Sequence, residues 1–357
     1  MVPLAEVLRR HWPAYERKFR ARLLPSHQRA VSAILSCRTA AMGGQLYQCE
    51  CGRLHFAYHS CNHRACPRCG HADATEWLEH QRRKLLPVPY YLITFTVPEQ
   101  LRWIIRSNQK VLYALLLRQS AGALQDVART HKDLGAELGL MAVLQTWTRD
   151  LRFHPHVHCV VPAGGLSPDG LRWVRPKRHD YFLPQAVLAM RFRTRLKQTL
   201  QQDHPELFIQ IPRVVWSLDW VADVQPVGSG EPALKYLAAY VYRTAFSAER
   251  IVADDGRNIT FTYRDGKTRR TRTLRLPAES FLHRFLQHVL PRNFQRVRYF
   301  GWLSPAAKAK FERIAALLDW RAPPHQPSTK DSQLPECPCC KKPMRLIGRL
   351  PRAPPRR

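Results

Sequence analysis

The clearest pattern of apolar and polar positions lies between Arg152 and Val161. Its odd-numbered residues are apolar, and its even-numbered residues include His154, His156 and His158. Side chains alternate between the two faces of a β-strand. The pattern therefore predicts a strand with one face in the core and a row of imidazoles on the other. Neighbouring imidazoles in such a row start about 6–7 Å apart at the backbone, close enough to converge on one metal ion.

Other segments show either helical spacing or the short aromatic and β-branched runs that are typical of strands. Further strands are predicted at Tyr90–Val97, Leu138–Thr146, Val214–Val224 and near Val297. Helices are predicted at Ala5–Leu35, Asp73–Leu85, Leu101–Ala128, Leu183–Leu200, Pro232–Ser247, Ala278–Val289 and Pro305–Leu318. A basic hairpin is predicted from Asn258–Arg264 and Arg269–Leu274. This mixture indicates an α+β fold with a largely antiparallel sheet.

The chain is expected to have three parts. Residues 1–86 form a helical domain with a cysteine cluster, and residues 87–320 form the main α+β domain. Residues 321–357 contain nine prolines and nine basic residues against two acidic ones, which predicts an extended basic tail.

Composition adds a strong charge to this picture. The 357 residues are 45% hydrophobic, enough for a real core, which argues against global disorder. Lys and Arg number 57 against 27 Asp and Glu, a net charge of +30. Such a charge favours a polyanionic partner, and nucleic acid is the leading candidate ahead of an anionic membrane surface.

Several function classes are excluded by what the sequence lacks. No apolar run approaches the roughly 20 residues of a membrane-spanning helix, and the N-terminus has no apolar signal core. No G-x-x-x-x-G-K-[ST] phosphate loop occurs in the sequence. We therefore expect a cytoplasmic protein with no membrane contact and no nucleotide cofactor.

The cysteines are clustered. Five of the ten lie between Cys49 and Cys69, and three lie between Cys337 and Cys340. Short spacings in a chain without a signal peptide indicate metal sites rather than disulfides. Cys66-Pro-Arg-Cys69 has the C-x-x-C spacing with which two thiolates bind one zinc ion. Cys37 stands alone and is expected in the core.

Two tyrosines share one face of a predicted helix. Tyr236 and Tyr240 are four residues apart and so lie one helical turn apart, and Lys235 and Arg243 are near enough to hold phosphate. Two helical tyrosines alone would be ordinary core residues. Beside a histidine-bound metal, however, they can be interpreted as nucleophiles. The metal ion can polarise a phosphodiester, and a tyrosine hydroxyl can then attack phosphorus.

These motifs together resemble a known family. His156-Val157-His158 resembles the signature of the HUH endonucleases, and Tyr236-x-x-x-Tyr240 resembles their two-tyrosine branch. The surrounding sequence segments, from about Arg29 to Leu318, resemble the rolling-circle transposases of the insertion sequence 91 family. The segment Ser60-Cys-Asn-His-Arg-Ala-Cys-Pro-Arg-Cys69 fits the N-terminal zinc-binding domain of that family.

The resemblance implies a fold, a reaction and partners. The fold is an antiparallel-sheet HUH core with helices on one side, preceded by a small zinc-binding domain that contacts DNA. The reaction is cleavage and rejoining of single-stranded DNA at transposon ends and target, through a 5′-phosphotyrosine. It implies a divalent cofactor, Mg²⁺ or Mn²⁺, and a place in a bacterial cytoplasm, at the nucleoid when acting. Strand opening would come from host replication machinery or DNA topology, and assembly into a homo-oligomer is left open.

The resemblance also implies site residues. His156 and His158 are metal ligands, and Tyr236 and Tyr240 are nucleophiles. For the third metal ligand His154 is the first choice, because it shares the strand face, and Gln145 is the alternative. Residues expected to contact DNA are Lys235, Arg243, Arg269, Arg270 and Arg272.

The resemblance to the insertion sequence 91 family also implies zinc ligands. We expect structural Zn²⁺ on Cys51, Cys61, Cys66 and Cys69. Cys49 is the alternative to Cys51, because the Cys49-Glu-Cys51 spacing departs from the usual one. Cys337-Pro-Cys-Cys340 offers only half of a site, so Cys337 and Cys340 are expected to form a degenerate knuckle. Completion of the site by His325 or by another chain, and the absence of any metal, are left open.

Two other functions remain open. A plasmid relaxase or rolling-circle replication initiator shares the same site chemistry, although the zinc cluster favours a transposase. A non-catalytic zinc DNA-binding remnant would keep the charge and the cysteines, but it would have no need of the two histidines and two tyrosines together.

Overall fold

The computed structural model describes residues 2–69, 71–178, 181–242, 248–266, 268, 270–324 and 334–352, and within these it leaves out the side chains of residues 71–74, 239, 240, 242 and 248. In this part of the chain the α-helices are α1 (Leu4–Phe19), α2 (Pro25–Ser36), α3 (His71–Arg82), α4 (Arg102–Ser107), α5 (Gln109–Thr130), α6 (Gln185–Asp203), α7 (Pro205–Phe208), α8 (Glu231–Tyr242), α9 (Ala278–Leu286) and α10 (Lys308–Leu317).

The strands in the same residues run from the N-terminal region to the last described segment. They are β1 (Gly44–Gln48), β2 (Leu54–Tyr58), β3 (Tyr90–Thr96), β4 (Gly139–Trp147), β5 (Phe153–Pro162), β6 (Gly165–Leu166), β7 (Trp173–Val174), β8 (Val221–Pro226), β9 (Ile251–Asp254), β10 (Asn258–Arg264), β11 (Thr271–Pro277), β12 (Val297–Gly301) and β13 (Arg345–Leu350).

The chain folds into two compact units, and each is built from more than one segment. One comprises Met1–Glu76, Tyr242–Val289 and Gln326–Arg357, and the other comprises Trp77–Val241 and Leu290–His325. This division differs from the three consecutive parts expected from the sequence. The basic hairpin and the last described segment belong to the first unit, together with the N-terminal cysteines.

The second unit contains a five-stranded antiparallel sheet in the order β12-β4-β5-β3-β8. The histidine strand β5 is at its centre, between β4 and β3. The sheet confirms the expected α+β class. Its strands were predicted from their apolar runs, but β8 begins only at Val221, since Arg213–Ser217 forms a 3-10 turn with Val214 exposed.

Both faces of this sheet are covered. On one face Val157 and Cys159 pack in a large core that includes Leu116, Phe192 and other residues of α5 and α6. On the other face Val143 and Val160 belong to a smaller core that includes Leu234 and Leu237 of α8. The expectation of helices on one side only is therefore wrong. A short apolar helix such as α8 carries no sequence signal that tells which face of the sheet it covers.

The long helix predicted at Leu101–Ala128 is interrupted. Asn108 has φ −123° and ψ 45°, which is not a helical conformation, and it separates α4 from α5. The predicted helix at Pro232–Ser247 begins at Glu231, and its residues 243–247 lie outside the described residues.

In the first unit β1 is the central strand of a three-stranded sheet, with β2 on one side and β13 on the other. The tail that was predicted to be extended thus contributes a strand. A second three-stranded sheet, β11-β10-β9, contains the predicted hairpin. Among the described residues, no helix has both the length and the apolar character needed to cross a bilayer.

Candidate active site

The three histidines of β5 point to the face of the sheet that was predicted from their alternation. His156 and His158 are buried, and His154 is partly exposed. Their ring centroids are 5.1 Å apart between His154 and His156 and 4.8 Å apart between His156 and His158. The neighbouring strands complete the surroundings: Gln145 of β4 is paired with His156, and Thr94 of β3 is paired with His158.

His158 is held through both ring nitrogens. Its Nδ1 is 2.9 Å from Thr94 Oγ1, and its Nε2 is 3.1 Å from Gln145 Oε1. Gln145 is fixed in turn, because its Nε2 donates to the Trp147 carbonyl at 3.1 Å. Its Oε1 must therefore face the imidazole. Because an amide oxygen only accepts, His158 Nε2–H donates to Gln145 Oε1, and Nδ1 accepts from the Thr94 hydroxyl. In the other tautomer Nδ1–H donates to Thr94 Oγ1, and Nε2 and Oε1 are then two converging acceptor atoms.

His154 has different surroundings. The guanidinium of Arg102 donates to its Nδ1 at 2.9 Å and also pairs with Glu99 at 2.9 Å. A guanidinium at this nitrogen opposes a second cation there. His154 was the first choice for a third metal ligand, but its Nδ1 is hydrogen-bonded to Arg102. Gln145 was the alternative, and its side chain faces His158.

Burial keeps the two inner imidazoles neutral. Desolvation lowers the pKa of His156 to about 4 and lowers that of His158 well below its usual value. His156 also donates its Nδ1–H to the backbone carbonyl of His154 at 2.7 Å. This hydrogen bond fixes the orientation of the ring and leaves Nε2 unprotonated, with a lone pair. Neutral imidazoles with one nitrogen held in this way are the form that binds metal ions.

Helix α8, which contains Tyr236 and Tyr240, lies on the same side of the sheet as these histidines. The ring of Tyr236 meets that of His158 edge-on, with centroids 5.8 Å apart, and 39% of Tyr236 is exposed. Its neighbours Leu234 and Leu237 are buried against the sheet and hold α8 in place. The backbone of Tyr240 is one turn further along α8, but its side chain lies outside the described residues.

The basic residues predicted to hold DNA differ in their surroundings. Lys235 is exposed on α8 and pairs with Glu231 at 2.8 Å, and Glu231 also pairs with Arg82 at 2.7 Å. Arg272 pairs with Asp265 at 3.3 Å, and Arg270 is exposed beside the same hairpin. Arg243 and Arg269 lie outside the described residues.

One group of four thiols forms in the N-terminal segment. The sulfurs of Cys37, Cys61, Cys66 and Cys69 all lie within 4.8 Å of one another. Cys69 is 3.6 Å from both Cys37 and Cys61, close to the roughly 3.8 Å that separates sulfurs around a tetrahedral zinc ion. A hydrogen bond with Cys66 lowers the pKa of Cys61, so a thiolate is favoured there.

The fourth thiol of this group corrects the sequence prediction. Cys37, expected in the core, takes the place that was assigned to Cys51 or Cys49. It reaches the knuckle because Arg38 donates its backbone N–H to the His59 carbonyl at 3.1 Å, and His59 donates to Gly43 at 3.0 Å. Local spacing gives no sign of this contact. Cys49 and Cys51 lie instead with Cys337 and Cys340.

Comparisons with known proteins find matches to most of the chain. Residues 139–310 match a family model described as "Putative transposase", and residues 7–97 match one described as "Transposase zinc-binding domain". The chain is 36% identical over 319 residues to "Putative transposase y4qJ" of Sinorhizobium fredii, covering 84% of this chain and 80% of that protein. It is 28% identical over 292 residues to the "Transposase for insertion sequence element IS801" of Pseudomonas savastanoi pv. phaseolicola, covering 77% and 69%. No solved structure was found to match.

Proposed function

Because the chain belongs to the insertion sequence 91 family of transposases, we propose that it cleaves and rejoins single-stranded DNA at the ends of an insertion sequence. The observation that carries this proposal is the edge-on contact of Tyr236 with His158. It brings a nucleophile beside a pair of buried, neutral imidazoles, in a chain whose +30 charge favours DNA.

The ligands we propose for the divalent ion are His156, His158 and Gln145. In octahedral coordination with bonds of about 2.1 Å, adjacent ligand atoms are about 3 Å apart. The separation of 3.1 Å between His158 Nε2 and Gln145 Oε1 fits that geometry. A mixed set of imidazoles and an amide oxygen suits Mn²⁺ or Mg²⁺ with water in the other positions.

His154 then has a positioning role. Its backbone carbonyl accepts from His156 Nδ1, which fixes the orientation of that ring. Its own ring joins Arg102 to the end of β5. We propose that Arg102 also contacts a phosphate of the bound strand, as arginines commonly do in complexes with nucleic acid.

Tyr236 attacks the scissile phosphorus in this proposal. Its phenolic oxygen forms a bond to phosphorus, its proton passes to solvent, and the P–O3′ bond breaks. The departing oxygen takes up a proton and becomes a free 3′ hydroxyl, while the 5′ phosphate stays on tyrosine. A divalent ion bound here would polarise a non-bridging oxygen of that phosphate. Attack by another 3′ hydroxyl reverses the step and joins two strands.

Tyr240 supplies the second nucleophile one helical turn away. Two tyrosines allow two strand transfers in succession without release of either DNA end. Lys235, which is exposed and directly precedes Tyr236 in the sequence, would hold a phosphate after exchanging its ion pair with Glu231. A relaxase or a replication initiator could use the same chemistry, but the two transposase relatives favour transposition.

The zinc-binding domain has a structural part in the proposal. We assign its Zn²⁺ to the thiols of Cys37, Cys61, Cys66 and Cys69. A zinc ion with four thiolates has no open position for catalysis, so its place in the reaction is to stabilise a surface that contacts DNA.

The ligand assignment is tested with purified full-length protein, Mn²⁺ and end-labelled single strands that carry the ends of the insertion sequence. Gln145→Ala should raise the Mn²⁺ concentration for half-maximal cleavage by about tenfold or more, as loss of a group next to a metal does. His154→Asn is the matched control on the same face and should change it by less than about threefold. The reverse order would assign the third ligand to His154, and binding without any cleavage by the unaltered protein would indicate a non-catalytic remnant.

A further inference from the structure

A second group of four thiols lies at the edge of the sheet β13-β1-β2, in the unit that also holds the first group. Its members come from the two ends of the chain, and their sulfurs all lie within 4.8 Å of one another. Cys49 and Cys340 are 3.3 Å apart although 291 positions separate them in the sequence, and Cys51 and Cys337 are 3.6 Å apart. This separation is near that of sulfurs around zinc, about 3.8 Å.

Each pair of cysteines lies in a tight turn that aims its sulfurs at the other pair. At Cys49 the turn is closed by Gly52, which donates to the Cys49 carbonyl at 2.9 Å and has φ +83°. At Cys337 the turn is closed by Lys341, which donates to the Cys337 carbonyl at 2.9 Å and has φ +61°. Each turn has a residue with positive φ directly after its second cysteine, although the turn at Cys49 is one residue shorter, and only one of the two residues is a glycine.

Backbone amides face the sulfurs in both turns. The amides of Cys339 and Cys340 donate to the Cys337 sulfur, and the amide of Cys51 donates to the Cys49 sulfur. Amide donors stabilise thiolates rather than thiols.

Packing and charge around the group agree with a bound cation. Cys49 and Cys337 are buried in a small core with Tyr47 and Met344, while Cys51 and Cys340 are exposed at its rim. Lys342 pairs with Glu50 at 3.0 Å, which joins the two turns and puts a positive charge beside the sulfurs. A zinc ion with four thiolates has a net charge of −2, so a neighbouring lysine is favourable.

We propose that this group is a second structural zinc site, one that ties the C-terminal segment to the N-terminal sheet, with four ligands: Cys49, Cys51, Cys337 and Cys340. Binding releases one proton from each thiol and forms four Zn–S bonds, with no change of oxidation state. Cys49 and Cys51 lie within the segment that matches the transposase zinc-binding domain, residues 7–97, whereas Cys337 and Cys340 lie far beyond it.

A zinc ion at this site links the turn before β13 to the turn between β1 and β2. β13 is an edge strand, and in this sheet it pairs with β1 alone. Zinc holds the turn that precedes β13 in place and so favours that pairing. Because Cys337 and Cys340 follow Cys51 by more than 280 residues, the site forms only after synthesis has passed Cys340.

Cys339 provides a matched control for the experiment. It lies in the same turn as Cys337 and Cys340 and is exposed, but it is not a member of the group. Zinc content of the purified full-length protein should be two equivalents, and Cys339→Ser should keep both. Cys340→Ser should keep one, and so should Cys69→Ser, which removes a ligand of the first group.

Further measurements separate loss of a ligand from loss of folding. Cys340→His restores a ligand atom and should bind two equivalents again. Hydrogen exchange at residues 345–350 should be faster in Cys340→Ser than in Cys339→Ser, because β13 loses its anchor. One equivalent in the unaltered protein, or two retained in Cys340→Ser, would overturn the proposal. So would a disulfide within the group in protein purified under reducing conditions. None of these outcomes depends on DNA cleavage.

Discussion

His156 and His158 lie in the interior of the sheet, where a charged imidazole is unfavourable. Burial lowers the pKa of both, so each binds fewer protons in the folded protein than in the unfolded one. Their neutral forms are the ones a divalent ion needs. The burial that would suit these imidazoles to the proposed metal site therefore also makes the fold sensitive to acid.

This sensitivity has a definite sign. An unfolded histidine takes up a proton near pH 6.5, whereas folded His156 does so only at about 4. Between these values the unfolded chain binds more protons, so the free energy of unfolding falls as the pH falls from about 6.5 to about 4. His156→Asn, measured by urea denaturation with a chelator present, should reduce this fall. His80→Asn removes an exposed histidine of the same unit and should leave it unchanged, and equal slopes for both variants would contradict the account.

Single residues differ in how far the sequence could assign them. The alternation from Arg152 to Val161 predicted the face of each histidine, because a strand has a fixed period of two. Cys37 could not be assigned, since it joins Cys61, Cys66 and Cys69 only through hydrogen bonds between separate loops. Arg102, which occupies His154, was also missed, and its contact joins residues 52 positions apart.

At the scale of elements, the register of β4 against β5 creates the site. Gln145 is paired with His156, and the register then shifts before Trp147 pairs with Phe153. Residues paired in an antiparallel sheet point to the same face, so Gln145 joins the histidines. The side chains of α8 then decide how close Tyr236 comes to them.

The position of α8 depends on its buried leucines, so a cavity beneath the helix should affect both stability and cleavage. Leu237 is fully buried in the core between α8 and the sheet. Leu237→Ala should lower the free energy of unfolding by about 2–5 kcal/mol and slow cleavage, while Mn²⁺ affinity stays the same. Met190→Ala, at an exposed position of α6, should change stability by less than about 0.5 kcal/mol. Unchanged cleavage in a destabilised Leu237→Ala protein would contradict the role of α8.

Elements were predictable where periodicity was strong. β3, β4, β5 and α6 lie within a few residues of their predicted bounds. The strands β1, β2 and β13 were missed, because they are short and one of them pairs with a partner about 300 residues away in sequence. The local sequence of a segment does not show that it pairs with a strand far away in the chain. The tail was therefore predicted to be extended, although it contains β13.

At the scale of the whole molecule, the +30 charge is distributed over many segments. The predicted three-part division followed the order of the sequence, but the chain returns to its first unit twice. Basic residues far apart in the sequence are therefore grouped in the same unit: Arg270 and Arg272 accompany the zinc-binding segment. We expect these charges to bind the DNA backbone without reading its sequence.

Binding of a single strand should weaken steeply with salt, and the basic hairpin should carry part of that dependence. For single strands the slope of log Kobs against log salt changes by about 0.7 for each phosphate that the protein neutralises. The double variant Arg270→Ala, Arg272→Ala should flatten the slope by that amount for each phosphate it no longer neutralises. Arg191→Ala replaces an exposed arginine outside the hairpin, on α6, and should keep the slope. Equal slopes for all three proteins would exclude the hairpin from DNA binding.

The most direct test of the proposed chemistry is the covalent adduct between the protein and DNA. Purified protein, Mn²⁺ and a 5′-extended single strand should give a phosphatase-resistant product, and tandem mass spectrometry should locate the 5′ phosphate on Tyr236 or Tyr240. The double variant Tyr236→Phe, Tyr240→Phe should bind the strand but form no adduct, while Tyr181→Phe, an exposed tyrosine of the same unit, should form it at the normal rate. An adduct that persists in the double variant would contradict the account.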